Sequence, residues 1–149
     1  MDEAVYSATP AGFSPHRIGG HVRHVVDFYE CFLSGLESTR VDYDQRTREL
    51  LVETHPKAAS AKIHFLIRRF EDNPYLQTDS RLAVRMETSI LPEWIPSSVS
   101  RELQALSSHT IHHFALIAMT MKLHGLQVDA SFGMSPSTLR HVVQTEIAA

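Results

Sequence analysis

The chain has little that would mark it for export, membrane insertion or nucleic-acid binding. Its single cysteine, Cys31, excludes an internal disulfide and fits a reducing compartment. The fourteen basic residues are scattered among seventeen acidic ones, so no basic patch for nucleic acid is formed. The longest apolar stretch, residues 114–121, is too short to span a bilayer, and residues 1–4 lack the features of a signal peptide. We expect a soluble cytoplasmic protein with neither nucleic acid nor membrane as a partner.

Apolar residues recur every three or four positions along most of the chain, which predicts amphipathic helices in one domain of residues 1–149. A first long helix is expected to begin at Ser14-Pro15, a cap followed by proline, and to end near Gly35. Residues 1–14 are predicted to be either the remnant of a helix, around residues 2–8, or a disordered arm.

The segment 41–44 offers caps for a second helical stretch, which Pro56 interrupts. A long helix is predicted from Val99 to Leu123, ending at Gly125, and a short one from Ser135-Pro136 to about Val143. Before the long helix, alternation of apolar and polar residues predicts a short extended crossover near residues 78–88. The expected fold class is all-α.

The long helix carries a histidine pair with the spacing of half a metal site. His109 and His113 stand four residues apart, so both imidazoles lie on one helix face and can reach one ion. His112 is turned about 100° away from His113 by the helical period. The alternative is that the pair lines a polar seam between helices, and spacing alone does not decide between these.

A third ligand would come from the first long helix, which carries His21 and His24 three residues apart. Helical periodicity sets His21 close to the apolar stripe and His24 nearer the polar side. Periodicity therefore favours His21 as the inward histidine. Two histidine-bearing helices that face one another are a common way to build a metal site in a helical bundle.

Five segments of the chain together resemble the DinB/YfiT superfamily, over most of the sequence from about residue 14. The resemblance implies a four-helix bundle, often dimeric, with a divalent metal held by three histidines. Matched position by position, those ligands are His24, followed by Asp27 in the first pattern, with His109 and His113; His21 stays the second choice. Family members usually have a full helix before the first metal histidine. Here we expect either that the first bundle helix is reduced to a remnant or that the chain begins late relative to its relatives. The segments are IGGHVRHVVD (18–27), VDYDQR (41–46), SREL (100–103), SHTIHHFAL (108–116) and FGMSPST (132–138).

Three imidazoles leave coordination positions free, which is typical of a catalytic metal site. Zinc and nickel are the favoured ions, and iron and manganese also accept imidazole. The resemblance implies a metal-dependent enzyme acting on a small molecule, a thiol S-transferase or a hydrolase. The alternative is a non-catalytic dimeric helical module with a structural or sensory metal site. No general base is assigned, because capping and surface pairing explain Asp42, Tyr43, Arg101 and Glu102 equally well.

A homodimer is expected on independent grounds. Residues 114–121 are apolar nearly all the way round the helix, and the reduced first helix would leave apolar surface for a second copy to cover. Such a dimer would bury at least about 1,200 Å² in total.

Overall fold

The computed structural model describes residues 1–13, 16–86 and 93–147, with the side chains of residues 146 and 147 excepted. The predicted helix start at Ser14-Pro15 and the end of the crossover at residues 87–88 lie outside these ranges. Ten elements follow in chain order: α1 (Glu3–Ser7), α2 (Ile18–Gly35), β1 (Arg40–Asp42), α3 (Leu50–Thr54), α4 (Pro56–Glu71), a 3₁₀ turn (Pro74–Leu76), β2 (Arg81–Arg85), β3 (Ile95–Ser98), α5 (Val99–Leu123) and α6 (Pro136–Ile147).

The prediction of an all-α four-helix bundle is wrong. The described residues form six helices and a three-stranded mixed sheet in the order β1-β2-β3. β1 runs parallel to β2, with Val41 opposite Val84, and β3 runs antiparallel to β2, with Ser97 opposite Leu82. The apolar alternation in residues 78–88 correctly indicated extended chain there, but it did not indicate the two partners that turn this strand into a sheet.

The centre of the molecule is α2, which packs against α5, α4, α3 and β1. Its buried stripe includes Ile18, Val25 and Phe32, as the three-and-four spacing predicts. Two glycines allow other backbone segments to approach it closely. A Cβ on Gly19 would lie 1.9 Å from the Glu53 carbonyl oxygen, and one on Gly35 would lie 2.4 Å from that of Arg40.

The long helix α5 begins and ends where the sequence predicts. The Ser98 side chain accepts a hydrogen bond from the Arg101 backbone amide, which caps the first turn. After Leu123 the chain leaves the helix through Gly125, whose φ of +75° is the left-handed conformation that glycine favours. α5 therefore holds its histidines at fixed positions along one face of a continuous helix.

The chain ends differ in how they pack. The predicted remnant near residues 2–8 is the helix α1, capped by Asp2 and anchored by the buried Tyr6, whose hydroxyl donates to the Val52 carbonyl oxygen at 2.8 Å. In α6, by contrast, Val142 and Val143 are 38% and 53% exposed. The C-terminal helix therefore does not complete a bundle core. Within the described ranges, no helix is long and apolar enough to cross a bilayer.

Candidate metal centre

The structure brings together the three histidines that the resemblance implies as ligands. α2 supplies His24, and α5 supplies His109 and His113 from adjacent turns of one face. The Nε2 atom of His109 lies 3.1 Å from Nε2 of His24 and 3.1 Å from Nε2 of His113. All three ligand atoms lie within 4.8 Å of one another, and all three side chains are partly buried.

These distances fit one ion bound by three imidazoles. Two nitrogens that each lie about 2.0–2.1 Å from a tetrahedral zinc ion are about 3.3 Å apart. Two of the three observed nitrogen separations, 3.1 Å each, are close to that value, and the third is within 4.8 Å. The donor set itself suits zinc, nickel or iron. Metal binding by these residues stays a prediction.

The local environment keeps the histidines neutral, which is the form that binds metal. Burial, together with the neighbouring His109 and Arg46, lowers the pKa of His24 to about 4. Burial, together with repulsion from His109 and His24, lowers the pKa of His113 to about 3. The pKa of His109 is also lowered, again chiefly by burial.

His21 is the buried histidine of its pair, as periodicity indicates, but it lies one step outside the cluster. It is 8% exposed, and its Nδ1 lies 3.0 Å from Nδ1 of His113. Its Nε2 lies 3.2 Å from Nδ1 of His16, whose ring stacks on it with an angle of 10° between the planes. His21 thus contacts the ring nitrogen of His113 that faces away from the cluster. Sequence reasoning missed His16, which no helical pattern includes.

The Phe28 ring and the Arg46 guanidinium also lie against the three histidines. The Phe28 ring centre lies 4.3 Å from that of His109 and 4.8 Å from that of His24. The guanidinium carbon of Arg46 lies over the Phe28 ring, 5.4 Å from the ring centre, and Arg46 Nη1 lies 3.4 Å from Nδ1 of His24. Arg46 was not predicted as a site residue, although it ends one of the segments that carry the resemblance.

Asp27 lies outside the cluster, although it belongs to the pattern that begins at His24. Its side chain is 2% exposed, and its Oδ2 accepts a hydrogen bond from Arg23 at 2.6 Å. Its Oδ1 accepts from the Arg48 backbone amide at 3.3 Å. Arg23 also donates to Glu53 at 2.7 Å, so Asp27 is part of an ion-pair network that joins α2 to α3.

Asp42, Tyr43 and Glu102, to which the sequence assigns no catalytic role, each have a structural partner. Tyr43 donates to Glu102 at 2.8 Å in the core, and Ser97 donates to the other oxygen of the same carboxylate at 2.5 Å. Burial and the Glu102 carboxylate together raise the pKa of Tyr43. Asp42 forms an ion pair with Arg85 across β1 and β2. This explains Asp42, Tyr43 and Glu102 by packing, and none of them contacts the three histidines through a hydrogen bond in the described part of the chain.

The two remaining predictions about single residues are confirmed. His112 is exposed on the outer side of α5. Cys31 is a buried thiol, and burial, with repulsion from Asp27 and Glu30, raises its pKa to about 11. A thiol with that pKa is a poor nucleophile at neutral pH.

Comparison with known proteins gives one partial match. The chain is 34% identical to FK506-binding protein 5 of Rhizopus delemar over 107 residues, which are 70% of this chain and 28% of that protein. The chain thus spans little more than a quarter of the relative's length, and the binding that the relative's name describes is a property of that longer protein. No protein-family profile and no solved structure match the chain. The DinB/YfiT resemblance stays a prediction.

Proposed function

We propose that this chain is a metal-dependent enzyme that binds a small-molecule thiol at a three-histidine centre. The observation that carries the proposal is the convergence of the Nε2 atoms of His24, His109 and His113, with two separations of 3.1 Å. No cysteine or carboxylate joins the three nitrogens in the described residues. Three protein ligands leave at least one coordination position for a ligand, which distinguishes catalytic from closed structural sites.

A divalent ion in such a site would lower the pKa of a bound water or thiol and so supply a nucleophile at neutral pH. The protein's own contribution is to hold three neutral imidazoles on two packed helices. The Phe28 ring excludes water from one side of the histidines. Partial exposure of all three histidines leaves the other side accessible to a small ligand. This arrangement supports either transfer of the thiol or hydrolysis.

Zinc and nickel are the proposed ions, and iron and manganese come next, because imidazole binds all four. The choice of a thiol as substrate rests on the DinB/YfiT resemblance together with the affinity of these metals for thiolate sulfur.

Cobalt substitution tests this proposal. Co²⁺ added to metal-free protein is expected to give the visible absorption of a four- or five-coordinate ion, and 2-mercaptoethanol should then add a sulfur-to-cobalt charge-transfer band in the near ultraviolet. The band would demonstrate an open position that accepts a thiolate. A cobalt spectrum that no thiol changes would refute the proposed function and favour a structural or sensory metal site in a non-catalytic module.

We also propose that the protein is a homodimer. Large apolar side chains on α4 and α5 face solvent, among them Ile67 at 47% exposure and Met119 at 51%. An apolar groove of about 500 Å³ runs between α2, α4 and α5, and Ile67 lies on its edge. A second copy of the chain would cover this surface.

A further inference from the structure

We propose that Arg46 forms an oxyanion-binding subsite beside the three-histidine centre, and that the ligand is a thiol that also carries a carboxylate or another oxyanion group. This inference rests on the proposed function and names the class of substrate. It concerns a residue that lies in the loop between β1 and α3, outside both histidine-bearing helices.

The position of Arg46 places a positive charge directly against the cluster. Its Nη1 lies 3.4 Å from His24 Nδ1, on the side of the ring opposite the Nε2 atom that faces His109. The guanidinium makes a cation-π contact with the Phe28 ring, with the guanidinium carbon 5.4 Å from the ring centre. Both contacts are to α2, so the guanidinium has a fixed place next to the histidines.

Arg46 differs from Arg23 and Arg85, which are also partly buried, in its charge balance. Arg23 has two carboxylate partners, Asp27 and Glu53, and Arg85 has Asp42. In the described residues no carboxylate oxygen lies within 4.0 Å of Arg46, and its buried Nε atom has no hydrogen-bond partner. A guanidinium that is partly removed from water and has no anion beside it is costly unless a ligand supplies the charge.

The hydrogen-bonding geometry indicates the same requirement. A histidine that binds metal through Nε2 carries its proton on Nδ1, and that N–H group almost always donates to an acceptor. The polar atom found within hydrogen-bonding distance of His24 Nδ1 in the described residues is Arg46 Nη1, at 3.4 Å, and it is also a donor. Two donors 3.4 Å apart cannot satisfy each other, but one oxyanion can accept from both. Guanidinium groups bind carboxylates and related oxyanions through paired hydrogen bonds.

The local charge strengthens this conclusion. Three neutral imidazoles leave the charge of a divalent ion unbalanced, and Arg46 adds a further positive charge. A thiolate supplies one negative charge, and an oxyanion on the same molecule supplies a second at the place where Arg46 lies. A ligand with both groups therefore satisfies the centre and the guanidinium together.

Two thiols of similar length provide the test. Cobalt-loaded protein is titrated with 3-mercaptopropionate, which carries a carboxylate, and with 3-mercapto-1-propanol, which carries a hydroxyl, and the charge-transfer band is followed. The wild type is expected to bind the carboxylate thiol at least about tenfold more tightly, as expected for a hydrogen bond to a charged group. 2-Mercaptoethanesulfonate, set against 2-mercaptoethanol, shows whether the subsite accepts a sulfonate as well as a carboxylate.

Variants separate Arg46 from the general attraction of an anion to a metal ion. Arg46→Gln should reduce the ratio of the carboxylate-thiol affinity to the neutral-thiol affinity by about tenfold, and Arg46→Lys should retain part of that ratio. Arg48→Gln is the matched control, since this exposed arginine lies two residues away in the same loop and its loss changes the net charge equally. It should leave the preference unchanged.

The outcomes distinguish the two proposals. Equal affinity of the wild type for both thiols, or the same preference in Arg46→Gln and wild type, would overturn the oxyanion subsite and leave the thiol-binding centre in place. Absence of the charge-transfer band with every thiol would overturn both. If Arg46→Gln does not fold, the affinities of the wild type for the two thiols still test the subsite. Circular dichroism checks the fold of each variant, and the cobalt spectrum checks its metal binding.

Discussion

Acidification is expected to destabilise the metal-free protein at pH values where most proteins of this size are still stable. Burial and repulsion from neighbouring histidines hold the pKa of His24 at about 4 and that of His113 at about 3, whereas both would titrate near 6.5 in the unfolded chain. As the pH falls below 6.5, the unfolded chain takes up protons that the folded protein does not accept. The free energy of unfolding therefore decreases from pH 6.5 downwards and is constant above it, as far as these two groups are concerned.

The size of the effect follows from the pH interval. One histidine that stays neutral in the folded protein costs 1.36 kcal/mol per pH unit, or about 2 kcal/mol between pH 6.5 and pH 5. His24 and His113 together give about 4 kcal/mol as an upper value, because both rings are partly exposed and solvent reduces their interaction. Asp27, whose pKa burial raises, contributes with the opposite sign. Its contribution is the same in every variant that leaves Asp27 in place.

Urea denaturation of chelator-treated protein at pH 7, 6 and 5, followed by circular dichroism, measures this loss. His113→Gln, which cannot titrate, should lose up to about 2 kcal/mol less than the wild type between pH 6.5 and pH 5. An equal acid loss in wild type and His113→Gln would refute the reasoning from burial.

Three further predictions concern the residues around the centre. His21→Ala should weaken metal binding about 10- to 100-fold in a competition titration, because His21 contacts the Nδ1 atom of His113; unchanged affinity would show that this contact has no orienting role. Ile67→Asp, on the exposed edge of the apolar groove, should convert the expected dimer to monomer in sedimentation, and a wild-type monomer at micromolar concentration would contradict the dimer. Tyr43→Phe should lower the free energy of unfolding by about 1.5–3 kcal/mol, since it removes a buried hydrogen bond to the Glu102 carboxylate, whereas the exposed Tyr75→Phe should have no effect on urea denaturation.

Local features of the sequence predict the helices well because the signals that define them lie within a few residues. The Ser98 cap and Gly125 mark the ends of α5, and the spacing of His109 and His113 places both on one face. The sheet depends instead on contacts between distant segments. Residues 41–44 carry polar side chains that can cap a helix, but Val41 pairs with Val84 and so lies in a strand. No local pattern could show this pairing.

The two lines of reasoning about α2 identified different residues for a physical reason. Periodicity reports burial, and His21 is indeed the buried histidine. The resemblance predicts His24 as the ligand, and its Nε2 lies 3.1 Å from His109 Nε2, whereas His21 contacts the Nδ1 atom of His113. A candidate ligand must stay partly exposed if substrate is to reach it, so burial is a poor guide to ligation. Arg46 lies in a loop, where no periodicity exists to predict its direction.

Metal analysis of the untagged protein, purified without chelator or nickel affinity chromatography, tests the central claim most directly. Inductively coupled plasma mass spectrometry should find about one divalent ion per chain in the wild type and in His112→Ala. His24→Ala, His109→Ala and His113→Ala should each lose most of it, because two imidazoles hold an ion far less tightly than three. Full occupancy in all three ligand variants would contradict the three-histidine centre and the function proposed from it.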